Sequence, residues 1–135
     1  MNFDPVGTDS KGNYHMKYTR PFTIVERIQL LQRSILVNSF AYYGLNSNIL
    51  SDFNYDDNAK QLAELKKKYP DEFKRSRYYD YFYDYCTDED DAHYTSGFDL
   101  LERVKKQDRQ LYRYISMDAN TALRLKFERD PSLAN

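Results

Sequence analysis

Tyr42-Tyr43-Gly44-Leu45-Asn46-Ser47-Asn48-Ile49-Leu50-Ser51-Asp52-Phe53-Asn54-Tyr55-Asp56 joins two helical patterns and decides how the chain folds. Upstream, Val25, Ile28, Ile35, Leu36 and Phe40 recur at helical spacing, with Gln32 read as keeping the apolar stripe to one face. Thr23 and Glu26 form a capping box at the start of that run, and Gly44 reads as its C-terminal stop. Downstream, Ser51 or Asp52 caps a second helix with a buried face of Tyr55, Ala59, Leu62, Leu65 and Tyr69, ended by Pro70. Two aromatic side chains at one helix end thus face a tyrosine flanked by carboxylates at the next helix start. Ring faces attract a cation, and carboxylates accept hydrogen bonds from hydroxyls, so the cluster suits a flat, cationic, hydroxyl-rich ligand.

Outside this hairpin the patterns are shorter. Residues 1–20 are polar, contain Pro5, Gly7 and Gly12, show no sustained period and read as a flexible N-terminal arm. Between Phe73 and Cys86, Tyr79, Tyr81, Tyr83 and Tyr85 alternate as in a strand, while Tyr78, Phe82 and Tyr85 follow helical spacing. Helix is the preferred reading, because neither neighbouring segment offers a sister strand. The acidic run from Thr87 to His93 is a loop; it lacks the glycine and the terminal glutamate of an EF-hand. Ser96 or Thr95 caps a fourth helix carrying Phe98, Leu101 and Val104. A fifth spans Asp108 to Ile115 and a short last one Asn120 to Arg129. The expected fold is all-α: one helical domain over residues 21–135, built on a helical hairpin.

Composition narrows the functional classes. With 20 basic and 21 acidic residues, no charge excess favours nucleic acid, and direct nucleic-acid binding is not expected. Cys86 is the sole cysteine, which fits a reducing cytoplasm, and no apolar run is long enough for a signal peptide or membrane span. Fourteen tyrosines against no tryptophan point to interfaces or ring-stacking sites, with compositional drift in an AT-rich genome as the other source. Arg77, Tyr78, Tyr79, Tyr81, Tyr83, Tyr85 and Tyr94 are candidates for a contact surface with a macromolecular partner or a second copy of the chain.

The stretch from Phe22 to Pro70 resembles the N-terminal domain Ia of NAD-dependent bacterial DNA ligases. In that family an aromatic pair ends one helix, and Asp-x-x-Tyr-Asp opens the next nine positions later. Tyr42 and Tyr43 match the pair, and Asp52, Tyr55 and Asp56 match the second cluster without a gap. Leu31, Ile35 and Asn38 fit the preceding helix, and Asp56 to Pro70 fits the following one with its closing aromatic–proline. The proline usual in the family's intervening loop is replaced by Asn46-Ser47-Asn48. The resemblance implies that these five residues recognise the nicotinamide mononucleotide half of NAD, with NAD or nicotinamide mononucleotide as ligand and no metal.

None of the ten lysines starts the Lys-x-Asp-Gly motif on which the ligases carry AMP, and no nucleotide-loop, zinc-protease or serine-hydrolase motif occurs. The expected function is therefore a non-catalytic binding module without catalytic residues. The alternative is a phage-type interaction or inhibitor protein. It would use the same scaffold against a host ligase, a replication factor or an immune effector such as a CRISPR nuclease.

Overall fold

The computed structural model describes residues 3–8, 14–18 and 21–134. Two strands, β1 (Phe3–Thr8) and β2 (Tyr14–Tyr18), pair antiparallel with Phe3 opposite Tyr18 and Asp4 opposite Lys17. The segment read as a flexible N-terminal arm thus contains a strand pair; the rest of that arm lies outside the described residues. Six α-helices follow: α1 (Ile24–Leu45), α2 (Asp52–Lys68), α3 (Pro70–Lys74), α4 (Tyr79–Phe82), α5 (Gly97–Gln107) and α6 (Arg109–Arg129). A 3-10 turn closes the described chain at Pro131–Ala134. The body is all-α, as the periodicity indicates.

Helix α1 is the spine. Its first turn is held by the expected capping box, in which Glu26 N–H donates to Thr23 Oγ1 at 3.1 Å and Thr23 N–H to Glu26 Oε1 at 2.9 Å. Helices α2, α3, α5 and α6 all pack on it, so Ile28, Ile35, Leu36, Phe40 and Ala41 are buried. Gly44 lies within the helix; the stop is Asn46, in the left-handed region at φ 51°. Asparagine tolerates that conformation because its short polar side chain can hydrogen-bond locally. The correction matters for the site, because it carries Tyr42 and Tyr43 on a continuous helical turn.

Gln32 is also corrected. It is fully buried, its Nε2 donates to Ser76 Oγ at 2.9 Å, and its Oε1 has no hydrogen-bond partner among the described residues. A helix covered from several sides has no solvated face at that position, so the polar residue goes inside.

Ser51 caps α2, accepting from Asn54 N–H, and Ala59, Leu62 and Leu65 form its buried face. Tyr55 and Tyr69 sit at the margin of that face. The aromatic segment after Pro70 forms two short helices, α3 and α4, with a turn between them. Tyr78, Tyr81, Phe82 and Tyr85 enter the core, where apolar ring area is worth most.

Two cations stitch this segment down. Lys66 Nζ donates to the Tyr85 carbonyl at 3.0 Å. Arg103 grips both oxygens of Asp84 at 2.7 and 3.0 Å and also donates to the Tyr81 carbonyl at 2.9 Å. The final two expected helices are one: Asp108 caps α6, and Ser116-Met117-Asp118-Ala119 offers no break between them.

Arg103's hydrogen bonds, opposed by partial burial, hold the Asp84 carboxyl below the ordinary carboxylate value of 3.8. A depressed folded value stabilises the protein above the ordinary one and loses that contribution as pH falls through the folded one. Asp84→Asn should therefore cost about 1 kcal/mol at neutral pH, a figure discounted for partial exposure. In urea unfolding the difference from the parent should shrink steadily below about pH 4. A cost unchanged at low pH would mean that packing, not the ion pair, is lost.

Candidate functional site

A cleft of about 340 Å3 opens where α1 ends and α2 begins, and all five residues singled out by spacing line it: Tyr42, Tyr43, Asp52, Tyr55 and Asp56. The end of α1 supplies the aromatic pair. The first turn of α2 supplies the two carboxylates and Tyr55, because positions 52, 55 and 56 share one helical face. The connecting loop is fixed at three points. Asn46 takes the left-handed cap, Leu50 N–H donates to Asn38 Oδ1 at 3.2 Å, and the Lys126 ammonium reaches back from α6 to the Asn48 carbonyl. Rigidity expected of the family's loop proline comes here from side chains.

The pair is open to solvent and ordered edge to face. Tyr42 and Tyr43 ring centroids lie 4.9 Å apart at 87°, and Tyr43 meets Phe98 of α5 at 5.8 Å and 66°. All three rings are about half exposed. Tyr55 is deeper, and its hydroxyl shares a 3.0 Å hydrogen bond with Ser39 Oγ. Burial first, then neighbours that include Asp56, push the Tyr55 phenol up, against the opposing effect of Ser39. Burial also raises Tyr43, with Tyr42 and Asp99 adding to it. Both therefore stand as neutral phenols at neutral pH.

The far wall comes from outside the ligase-like hairpin. Glu89 and Tyr94, from the loop after Cys86, and Gly97, the first residue of α5, also line the cleft. The loop is closed on itself: Thr95 N–H donates to the Cys86 carbonyl at 3.0 Å, Asp90 N–H to Asp88 Oδ1 at 3.0 Å and His93 N–H to Asp91 Oδ1 at 2.9 Å. Its acidic run is thus partly spent on its own backbone amides, while Glu89 faces the cleft. Spacing within α1 and α2 carries no signal for Glu89, Phe98 or Gly97. The Ser96 cap was the one visible clue, since it starts α5 where it meets the site.

Residues 22–76 match the family described as "DNA ligase-like, N-terminal NAD+-binding domain". That is under half of the chain, and it contains every residue of the near wall. The chain is similar to the DNA ligase of Petrotoga mobilis (43% identical over 51 residues, 38% of this chain and 8% of the ligase). It is also similar to that of Malacoplasma penetrans (33% over 58 residues, 43% and 8%) and to that of Porphyromonas gingivalis (42% over 45 residues, 33% and 7%). The chain thus spans less than a tenth of these ligases, all within their domain Ia-like portion. No solved structure matches it. Among the described residues no helix is long and apolar enough to cross a membrane.

Of the tyrosines read as a contact surface, only some lie at the surface. Tyr78, Tyr81 and Tyr85 are buried, Tyr79 is half-buried edge-on to Phe73, and Tyr94 belongs to the cleft. Tyr83 and Tyr94 remain as exposed rings in that segment, with Arg103 lying over Tyr83 at 5.0 Å. Arg77 lies over the Tyr78 ring at 5.7 Å. Short helices with a turn between them rotate successive rings to different sides, so neither the strand pattern nor a single helix describes the segment.

Gly97 sets the distance between the two walls. A Cβ built there would lie 2.4 Å from Ser39 Oγ and 3.2 Å from the Tyr55 hydroxyl. Gly97→Ala must therefore push α5 off α1 or displace the Ser39–Tyr55 hydrogen bond, a packing cost of about 1–3 kcal/mol. We expect a loss of that size in denaturant unfolding, together with a changed near-ultraviolet tyrosine signal. A variant as stable as the parent would show that the walls are not in contact.

Proposed function

We propose that this chain is a non-catalytic module that binds the nicotinamide mononucleotide part of NAD-type ligands. The observation that carries the reading is the convergence of Tyr42, Tyr43, Asp52, Tyr55 and Asp56 on one cleft, within the segment that matches an NAD+-binding domain. A pyridinium ring fits the faces of the exposed aromatic pair, where cation–π attraction is worth about 0.5–2 kcal/mol. On this reading Asp52 and Asp56 accept hydrogen bonds from ribose hydroxyls or the carboxamide. The absence of a Lys-x-Asp-Gly sequence supports a non-catalytic role, and a soluble, cytoplasmic setting fits the single cysteine. The alternative, a phage-type interaction protein on the same scaffold, draws on the half-exposed Tyr42, Tyr43 and Phe98 rings. These could seat a partner protein or a second copy of the chain.

Nicotinamide mononucleotide at a hundredfold its dissociation constant should stabilise the chain by about 2.7 kcal/mol. That is a rise in melting temperature of roughly 2–8 °C. Tyr42→Ala and Asp56→Ala should each abolish the rise while remaining folded, and AMP should produce none. No rise with millimolar nicotinamide mononucleotide or NAD would end this reading and leave the interaction module.

Incubation with NAD should leave the intact mass unchanged. A covalent adenylate detected by mass spectrometry would overturn the non-catalytic assignment.

A further inference from the structure

The charge of the cleft discriminates among ligands that share a nicotinamide ring and ribose. Among the described residues, its lining contains three carboxylates, Asp52, Asp56 and Glu89, and no lysine, arginine or histidine. An adjoining recess shares Tyr55, Asp56, Glu89, Tyr94 and Gly97 with it and adds a single ammonium, Lys60. The other ammonium at the margin, Lys126, is committed to the Asn48 carbonyl. The phenol of Tyr94 registers the resulting field: burial raises it first, and Glu89, Asp56 and Asp99 add to the rise.

A pyridinium cation is attracted by every one of these features. A phosphate monoester on the same ribose brings nearly two negative charges and three strong acceptors into a wall with few donors to meet them. Like charges a few ångströms apart at a protein surface repel by enough to matter for affinity. Glu89 and Tyr94 lie beyond the segment that matches the ligase domain, so this chain supplies that bias itself.

We infer that the cleft selects a phosphate-free N-ribosylpyridinium cation, with Glu89 as a specificity determinant against the phosphorylated form. The inference rests on the binding reading above and narrows it to a ligand class. The nicotinamide ring and ribose occupy the cleft, and a 5′-phosphate weakens binding.

The experiment is calorimetric titration of the full chain with nicotinamide riboside, nicotinamide mononucleotide and neutral 1,4-dihydronicotinamide riboside, at low and high salt. Nicotinamide riboside should bind about tenfold tighter than the mononucleotide at low salt, and the gap should narrow as salt screens the carboxylates. The uncharged dihydro form should bind more weakly than the cation. Glu89→Gln should weaken nicotinamide riboside and leave the mononucleotide unchanged or tighter, a crossed effect that loss of structure does not produce.

Mononucleotide binding as tight as or tighter than the riboside would overturn the inference and leave the broader reading standing. Parallel weakening of both ligands by Glu89→Gln would remove Glu89 from the determinant. Binding of none of the three would overturn both the inference and the reading beneath it.

Discussion

The contact of Gly97 with Ser39 is the constraint on which the rest of the arrangement depends. Helix α1 is enclosed by α2, α3, α5 and α6, and such a helix must present small residues wherever a neighbour's backbone comes close. Ser39 is such a residue on α1, and Gly97 is the matching gap on α5. Where the Ser39 side chain packs against Gly97, the Tyr55 hydroxyl bonds to Ser39, Phe98 meets Tyr43, and Glu89 and Tyr94 line the same cleft as the start of α2. One tight helix crossing thereby turns a two-helix hairpin into a walled cleft.

The two halves of the cleft differ in chemistry as they differ in origin. The near wall is a set of rings and carboxylates in consecutive turns of a helical hairpin, within the segment that matches the ligase-like family. The far wall is added by a loop and helix start that the matching segment does not include. A site assembled in this way can keep the recognition of a ring and ribose while altering how charge is treated at its edge. Specificity is a difference between affinities, and an added repulsive group contributes as much to it as an attractive one.

What was legible in the sequence followed local physics. The capping box of Thr23 and Glu26, the Ser51 cap and the spacing of Tyr42 through Asp56 are short-range patterns, and each appears as read. What was not legible depended on enclosure. Gln32 read as keeping the apolar stripe to one face because a two-sided helix would expose it; a helix covered from several sides buries it. Tyr78, Tyr81 and Tyr85 looked too numerous for a core, yet the single turn of α4 and the turns on either side of it aim all three inward. Beyond the Ser96 cap the far wall had no pattern, since Glu89 reaches the site through a loop closed by the hydrogen bond from Thr95 to Cys86. Asp108 to Arg129 read as two helices for want of a continuous stripe, although nothing in it stops a helix.

The hold of Lys126 on the Asn48 carbonyl has a kinetic meaning. A proline stiffens a loop from within, so such a loop is ordered as soon as its two flanking helices meet. Here the stiffening group arrives from 78 positions away, and closing so long a segment must precede the contact. The cleft is then among the last parts of the molecule to take shape, and order at Asn48 reports that α6 has docked. The loop between α1 and α2 thus gains its last anchor only when α6 is in place.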